Sequence, residues 1–189
     1  MESNLNRCGW TGRNDELMTR YHDEEWGVPV HDDRKLFEFM ILDAFQAGLS
    51  WKTILYRREN FRKAFDNFEP GIIAKYEEAK QLSLLNDPGI IRNRAKISAT
   101  LSNAKAFLEV QKEFGTFDRY IWSFTSHRTI DNRRENLKDI PATTGVSDAM
   151  SKDLMQRGFK FVGSTICYSF MQAAGMVNDH TVDCFRHSL

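Results

Sequence analysis

Two cysteine–histidine pairs stand at opposite ends of this chain: Cys8 and His22 near the start, His180 and Cys184 near the finish. Each pair sits in an unusual string. At the front these are Arg7-Cys8-Gly9-Trp10 and Tyr21-His22-Asp23-Glu24-Glu25-Trp26-Gly27; at the back it is Asn178-Asp179-His180-Thr181-Val182-Asp183-Cys184. Two thiolates and two imidazoles make a closed four-ligand set, which suits a structural zinc ion better than a catalytic one. His180 and Cys184 are four residues apart and point the same way on one helical turn. If the four meet, the fold must bring its two termini together, and the metal staples them. Spacing alone leaves a second reading open, because two distant pairs specify a ligand set less tightly than a compact CxxC ribbon. In that reading Cys8 is simply buried, His22 caps a helix and the tail is ordinary.

The 189 residues fit one domain, 1–189, able to bury a substantial core. Three cysteines cannot all pair, no apolar leader reads as a signal peptide, and no apolar run is long enough to span a membrane. The expectation is a reduced, cytoplasmic protein, simplest as a monomer, whose cysteines bind metal or pack. Cys167, inside Ile166-Cys167-Tyr168-Ser169-Phe170-Met171, belongs to the core on this reading. Charge is balanced, 26 Lys plus Arg against 26 Asp plus Glu. That excludes coating nucleic acid by bulk charge and leaves room for a local basic face. The clusters Arg57-Arg58, Arg62-Lys63, Arg92-Arg94-Lys96, Arg133-Arg134 and Arg157-Lys160 each read first as solvated helix faces.

The apolar pattern is helical almost throughout. Leu36, Phe37, Met40, Ile41, Ala44 and Phe45 trace one stripe, with Asp32 or Asp33 as the cap. Gly48 interrupts, and Ser50 caps a second helix whose apolar face is Trp51, Ile54, Leu55, Phe61 and Phe65, closed by Pro70-Gly71. A third runs through Ile97, Leu101, Ala104 and Leu108, followed by a buried aromatic segment of Tyr120, Ile121, Trp122 and Phe124. Residues 126–146 are polar, contain Pro141 and Gly145, and read as a long surface connection. Ser147 caps a further helix with Ala149, Met150 and Leu154. No convincing strand or internal repeat appears, so the predicted class is all-α.

Gly158-Phe159-Lys160-Phe161-Val162-Gly163 separates that helix from another over Ser164–Ala174. Helix, glycine-framed turn, helix is the layout of a helix-hairpin-helix unit, here about 148–175. Gly158 and Gly163 let the backbone approach closely, the second helix offers N–H groups to a phosphate, and Lys160 adds a charge. Such a contact positions DNA without reading its sequence. The same pattern fits an ordinary tight turn between packed helices equally well.

Together these strings resemble one family. Arg-Cys-Gly-Trp at 7–10, Tyr-His-Asp-Glu-Glu-Trp-Gly-Val-Pro at 21–29 and Gln-Ala-Gly-Leu-Ser-Trp at 46–51 carry the likeness. So do Arg-Gly-Phe-Lys-Phe-Val-Gly at 157–163, Ile-Cys-Tyr-Ser-Phe-Met-Gln-Ala at 166–173 and Asn-Asp-His at 178–180. They resemble the DNA-3-methyladenine glycosylase I family of bacterial alkylation repair, from about Cys8 to Cys184. The resemblance implies a helix-hairpin-helix glycosylase fold and a structural zinc on Cys8, His22, His180 and Cys184. It implies a base pocket of Trp10, Tyr21 and Trp51 with a carboxylate from Asp43, and a partner in double-stranded DNA containing alkylated bases. For each aromatic the plainer reading is core packing, strongest for Trp26 and Trp122.

The chemistry suits these residues. A glycosylase extrudes its target base into a pocket. Aromatic faces stack on the cationic 3-methylated adenine, and a carboxylate favours the charged lesion over neutral adenine. A charged base leaves easily through an oxocarbenium-like sugar, so little general-acid help is needed. No lysine stands out as a covalent nucleophile, and the expectation is a monofunctional hydrolase. One departure matters: typical members of the family carry glutamate where this chain has Asp43. Aspartate is shorter by about 1.3–1.5 Å, roughly one carbon–carbon bond. That keeps two alternatives in view, a glycosylase with a shifted lesion preference and a damage-binding protein that does not hydrolyse. Asp43 also fits a surface or capping carboxylate. A zinc-stapled helical domain without a nucleic-acid role is a third alternative. Asp179 and Asp183 flank zinc-type ligands and are expected to orient His180 or cap its turn, with Asp179 a secondary catalytic candidate.

Overall fold

A computed structural model describes residues 5–12 and 14–188. The described chain is built from α1 (Glu16–Glu24), α2 (Asp33–Gln46), α3 (Trp51–Leu55), α4 (Arg58–Ala64) and α5 (Pro70–Ile73). There follow α6 (Glu78–Asn86), α7 (Arg94–Phe114), α8 (Phe117–Trp122), α9 (Gly145–Gln156) and α10 (Ser164–Ala173). Its strands, β1 (Ile130–Asp131) and β2 (Val177–Asn178), pair in parallel for two residues each. Among the described residues no helix is long and apolar enough to cross a membrane.

α2 is the axis of the core. Every residue from Leu36 to Phe45 is buried, Glu38 and Asp43 included, so the apolar stripe read from the sequence widens into burial on all sides. Its cap is Asp32, whose carboxylate accepts the Lys35 N–H at 2.8 Å. Around it pack Phe61, Phe65 and Phe68, Phe107 and Phe117, Trp122 and the buried face of α10. Cys167 lies in this core, 2% exposed, and the indole N–H of Trp122 donates to the Val30 carbonyl at 2.9 Å.

Several expectations need correction. The expected second helix is two, α3 and α4, meeting at Tyr56–Arg57. Leu108 is only half-buried, because Phe107 and Val110 take the inner face of α7. Thr144, not Ser147, caps α9: Thr144 Oγ1 accepts the Ser147 N–H, and Ser147 Oγ accepts the Thr144 N–H, a reciprocal capping box. Ser147 has a cap's chemistry because it is the inner member of that box. The 126–146 connection does lie at the surface, none of its residues being buried, but it is not structureless. It holds β1 and, through Arg134 bridging to Thr181, runs beside the C-terminal segment.

The chain closes on itself at α10. Gly27 and Val30 donate to the Gln172 and Ala174 carbonyls at 3.0 and 3.1 Å. Gly175 permits this, since its φ is +69° and a Cβ there would lie 2.3 Å from the Val28 carbonyl carbon. The Phe185 N–H then donates to the Asn6 carbonyl at 2.9 Å, joining the two ends.

Candidate functional site

The four metal-type residues of the two termini converge. Cys8, His22, His180 and Cys184 are all buried, and their ligand atoms lie within 4.8 Å of one another. Cys8 Sγ is 3.5 Å from His180 Nδ1, and Cys184 Sγ is 3.4 Å from His22 Nε2 and 3.6 Å from His180 Nδ1. A tetrahedral zinc with ordinary bond lengths has sulfur–nitrogen edges of about 3.5–3.6 Å. Each imidazole is oriented by its other nitrogen. His22 Nδ1 faces Asp23 Oδ1 at 2.7 Å, and His180 Nε2 faces the Trp26 carbonyl at 3.1 Å. Those partners hold the proton on the outer nitrogen and leave an inner lone pair on each ring. Asp23 is itself gripped by Arg7 at 2.8–3.0 Å, which together with His22 holds its pKa below the ordinary value despite burial. Burial pushes the Cys8 thiol up to about 11 and His180 down to about 4. The donor set and its orientation fit one cation. Gly27 is part of the fit: at φ +77° its missing Cβ leaves room for His180 Nε2, which would otherwise sit 3.1 Å away.

Asp179 and Asp183 do not orient His180. Asp179 accepts four hydrogen bonds, from Asn132, Arg134, Tyr168 and Gln172 at 2.6–3.1 Å. Asp183 is exposed and accepts from Asn6.

Beside the cluster opens a cleft of about 460 Å³. Trp10, Tyr21, Trp51 and Asp43 all line it, so the proposed pocket residues, scattered from η1 (Gly9–Thr11) to α3, meet in space. Tyr21 and Trp51 rings stand 5.1 Å apart, and Trp10 lies 6.3 Å from Tyr21. The metal cluster sets these walls, because Trp10 follows Cys8 by two residues and Tyr21 directly precedes His22. Trp10 packs edge-on against His22 and Trp26 at 5.2 and 5.0 Å. Trp26, assigned to the core from sequence, is therefore a cleft residue too. Met18, Gln46, Ser169 and Gln172 also line the cleft; the last three lie in the strings that carry the family likeness, but nothing in those strings marks them as cleft residues.

Asp43 is neither a surface nor a capping residue. It is 2% exposed, its Oδ2 has no hydrogen-bond partner, and burial raises its pKa well above the ordinary carboxylate value. Burial likewise raises Tyr21, helped by Asp43. The indole N–H groups of Trp10 and Trp51 are also buried without partners. Orphaned buried polar atoms are rare in folded proteins, and here three belong to residues of one cleft. The cleft therefore offers a ligand aromatic faces and one carboxyl group.

The sequence-predicted hairpin joins α9 to α10. Gly158 takes φ +93°, Phe159 and Val162 are buried, and Lys160 is exposed. Most of the basic clusters are spoken for: Arg58 by Glu25, Arg62 by Glu38 and Glu59, Arg134 by Asp179, Arg157 by Glu113 and Asp153.

A family model described as methyladenine glycosylase matches residues 10–187. This chain belongs to the methyladenine glycosylase family. It is 49% identical over 180 residues to DNA-3-methyladenine glycosylase 1 of Escherichia coli K12, covering 95% of this chain and 96% of that protein. It is 46% identical over 178 residues to the DNA-3-methyladenine glycosylase of Haemophilus influenzae, covering 94% and 96%. Among solved structures, 3-methyladenine DNA glycosylase I from Staphylococcus aureus, a study of 3-methyladenine recognition, is 34% identical with a TM-score of 0.92, covering 97% of each chain. The mostly helical fold is thus the family's.

Proposed function

We propose that this protein is a DNA-3-methyladenine glycosylase: it flips 3-methyladenine out of duplex DNA and hydrolyses its N-glycosidic bond, leaving an abasic site for base excision repair. The observation that carries the reading is Asp43, a buried, unpartnered carboxyl group in an aromatic cleft. Tyr21, Trp51 and Trp10 stack on or edge the extruded base, which excludes water and adds cation–π attraction. Asp43 becomes partnered only when a base enters. The cationic lesion favours the ionised form, so on its entry the carboxyl group that burial keeps protonated loses its proton, accepts an exocyclic N–H and attracts the charged base. The shorter aspartate serves because it is held inside the cleft wall on α2, a rigid element.

The rest of the reading follows the same chain. Cys8, His22, His180 and Cys184 hold a zinc ion, which supplies a closed structural site with no position for substrate. The α9–α10 unit grips a DNA phosphate as a helix-hairpin-helix. Support comes from Gly163, where φ is −59° and a Cβ would meet nothing within 4 Å, so neither strain nor packing within the protein requires glycine. An approaching backbone would. Exposed Lys160 adds charge there, and Leu49, 42% exposed between the cleft residues Gln46 and Ser50, is the side chain placed to enter the gap in the duplex. We read residues 1–189 as one glycosylase domain, monomeric and cytoplasmic; its three cysteines are free and buried.

The test is chromatographic detection of free bases from methylated duplex DNA, with wild type, Asp43→Glu and Asp43→Asn side by side. Wild type and Asp43→Glu are expected to release 3-methyladenine, and Asp43→Asn to be slower by at least about a hundredfold. Release by Asp43→Glu alone would make the natural protein a binder or an enzyme for another lesion.

A further inference from the structure

α7 carries a polar stripe that core packing does not require. Among Ile97, Ala104, Phe107 and Val110, which fill the core, Lys96, Thr100 and Asn103 are also buried. Thr100 is satisfied within the helix, donating to the Lys96 carbonyl at 2.9 Å. The other two reach outward, and both grip main chain. Lys96 Nζ donates to the carbonyls of Phe45 at 2.8 Å and Ala47 at 2.6 Å, at the C-terminal end of α2. A lysine in the first turn of a helix opposes that helix's own dipole, so its favourable neighbour is the negative end of α2. Asn103 clamps Lys160 at two points: Nδ2 donates to its carbonyl at 3.0 Å, and Oδ1 accepts its N–H at 2.7 Å.

Each grip holds a segment that the proposed chemistry uses. Ala47 leads directly into Gly48-Leu49-Ser50, the loop at the rim of the cleft, and Lys160 is the middle of the hairpin. Lys96 and Asn103 are seven residues apart. Seven residues return to the same helix face within about 20° and advance about 10.5 Å. One face of one helix therefore holds both DNA-facing segments.

We infer that α7 is the spacer that fixes the cleft loop relative to the hairpin, with Lys96 and Asn103 as its positioning residues. The inference rests on the glycosylase reading above. The hairpin sets where the duplex lies, and the loop sets where the extruded base enters. Their separation decides whether the base meets Asp43, although neither positioning residue touches it. A displacement of about 1 Å at such a remove can cost about a hundredfold in rate.

Lys96→Met and Asn103→Leu keep side-chain bulk and remove the grips. Each variant, and the double variant, is compared with wild type for affinity for free 3-methyladenine, by tryptophan fluorescence, and for single-turnover excision from methylated duplex DNA. The expected result is free-base affinity within about twofold of wild type and excision slowed at least about tenfold. The double variant should be no slower than the worse single by more than about twofold, since one lost grip already frees the separation. Asn103→Asp, which still accepts the Lys160 N–H, should recover part of the rate; if Lys96→Met does not fold, the two Asn103 variants carry the test. Wild type active with the single variants as fast as it overturns the spacer and leaves the glycosylase reading standing. So does loss of free-base affinity in step with excision, or multiplicative losses in the double variant. Wild type releasing no base removes the glycosylase reading, and the spacer with it.

Discussion

Asp43 is held where an ionised carboxylate is disfavoured: buried on α2, with Oδ2 unpartnered and its pKa raised by burial. The native state therefore keeps its proton at pH values where the unfolded chain, titrating near 3.9, has lost it. Bound protons in excess in the native state mean that stability falls as pH rises from about 4 toward the native pKa. Asparagine has the same shape and does not titrate. In melts run from pH 4 to pH 8, Asp43→Asn is expected to start level with wild type and to gain on it as pH rises toward the native pKa, while excision collapses. Thermal melts across that range check the sign; an Asn variant less stable at pH 8 than at pH 4, relative to wild type, would show Asp43 to be stabilised as an anion. The stacking role of Trp51 is tested separately. Trp51→Ala should weaken free 3-methyladenine binding by about 1–3 kcal/mol, a typical value for base–aromatic stacking, measured by calorimetry. Asp43 was legible only through the family resemblance, because a buried aspartate does not announce itself by periodicity; half-buried Trp51 shows in the apolar pattern, but there it fits core packing equally well.

At the level of elements, local chemistry was readable and its register less so. Asp32 and Ser50 cap α2 and α3 as their positions suggest, accepting the Lys35 and Thr53 N–H groups at 2.8 and 3.2 Å. Thr144 and Ser147 show the limit, since either fits a capping sequence and the reciprocal box decides which is outermost. The metal cluster was legible as residue types and not as neighbours. Only folding reveals that η1 and α1 deliver a ligand and a cleft aromatic from the same turn, Cys8 with Trp10 and His22 with Tyr21. If these four residues hold zinc as proposed, its removal by a chelator, or Cys8→Ser, should do more than lower thermal stability. Trp10 loses its footing, so affinity for free 3-methyladenine should fall by about 3–10-fold while the residual excision rate at saturating DNA changes less. Metal content by atomic emission is the control. Stoichiometric zinc retained by a Cys8→Ser/Cys184→Ser double variant would remove the ligand assignment.

For the whole molecule, the mostly helical class and the meeting of the termini follow from patterns within the chain, and the short β1–β2 pair does not. The buried polar contacts that lock distant segments do not, because each pairs residues that look like ordinary surface. Asp179 is the clearest case. Next to His180 of the Cys/His cluster in sequence, it serves instead as a hub that joins the β1 segment, through Asn132 and Arg134, to α10, through Tyr168 and Gln172. Its side chain is fully buried and that of Arg134 is 18% exposed. Removing the carboxylate takes the acceptor from Arg134 Nε, the Tyr168 hydroxyl and Gln172 and leaves Asn132 only its longer bond to Tyr168, and Asp179→Ala should cost about 2–4 kcal/mol, read from urea unfolding. Because Gln172 lines the cleft, the hub also steadies one wall of the site. Excision per folded molecule is still expected within about threefold of wild type, as Asp43 and not Asp179 lines the cleft proposed to receive the base. The opposite result, unchanged stability with excision lost, would make Asp179 a catalytic residue and Asp43 a recognition residue only.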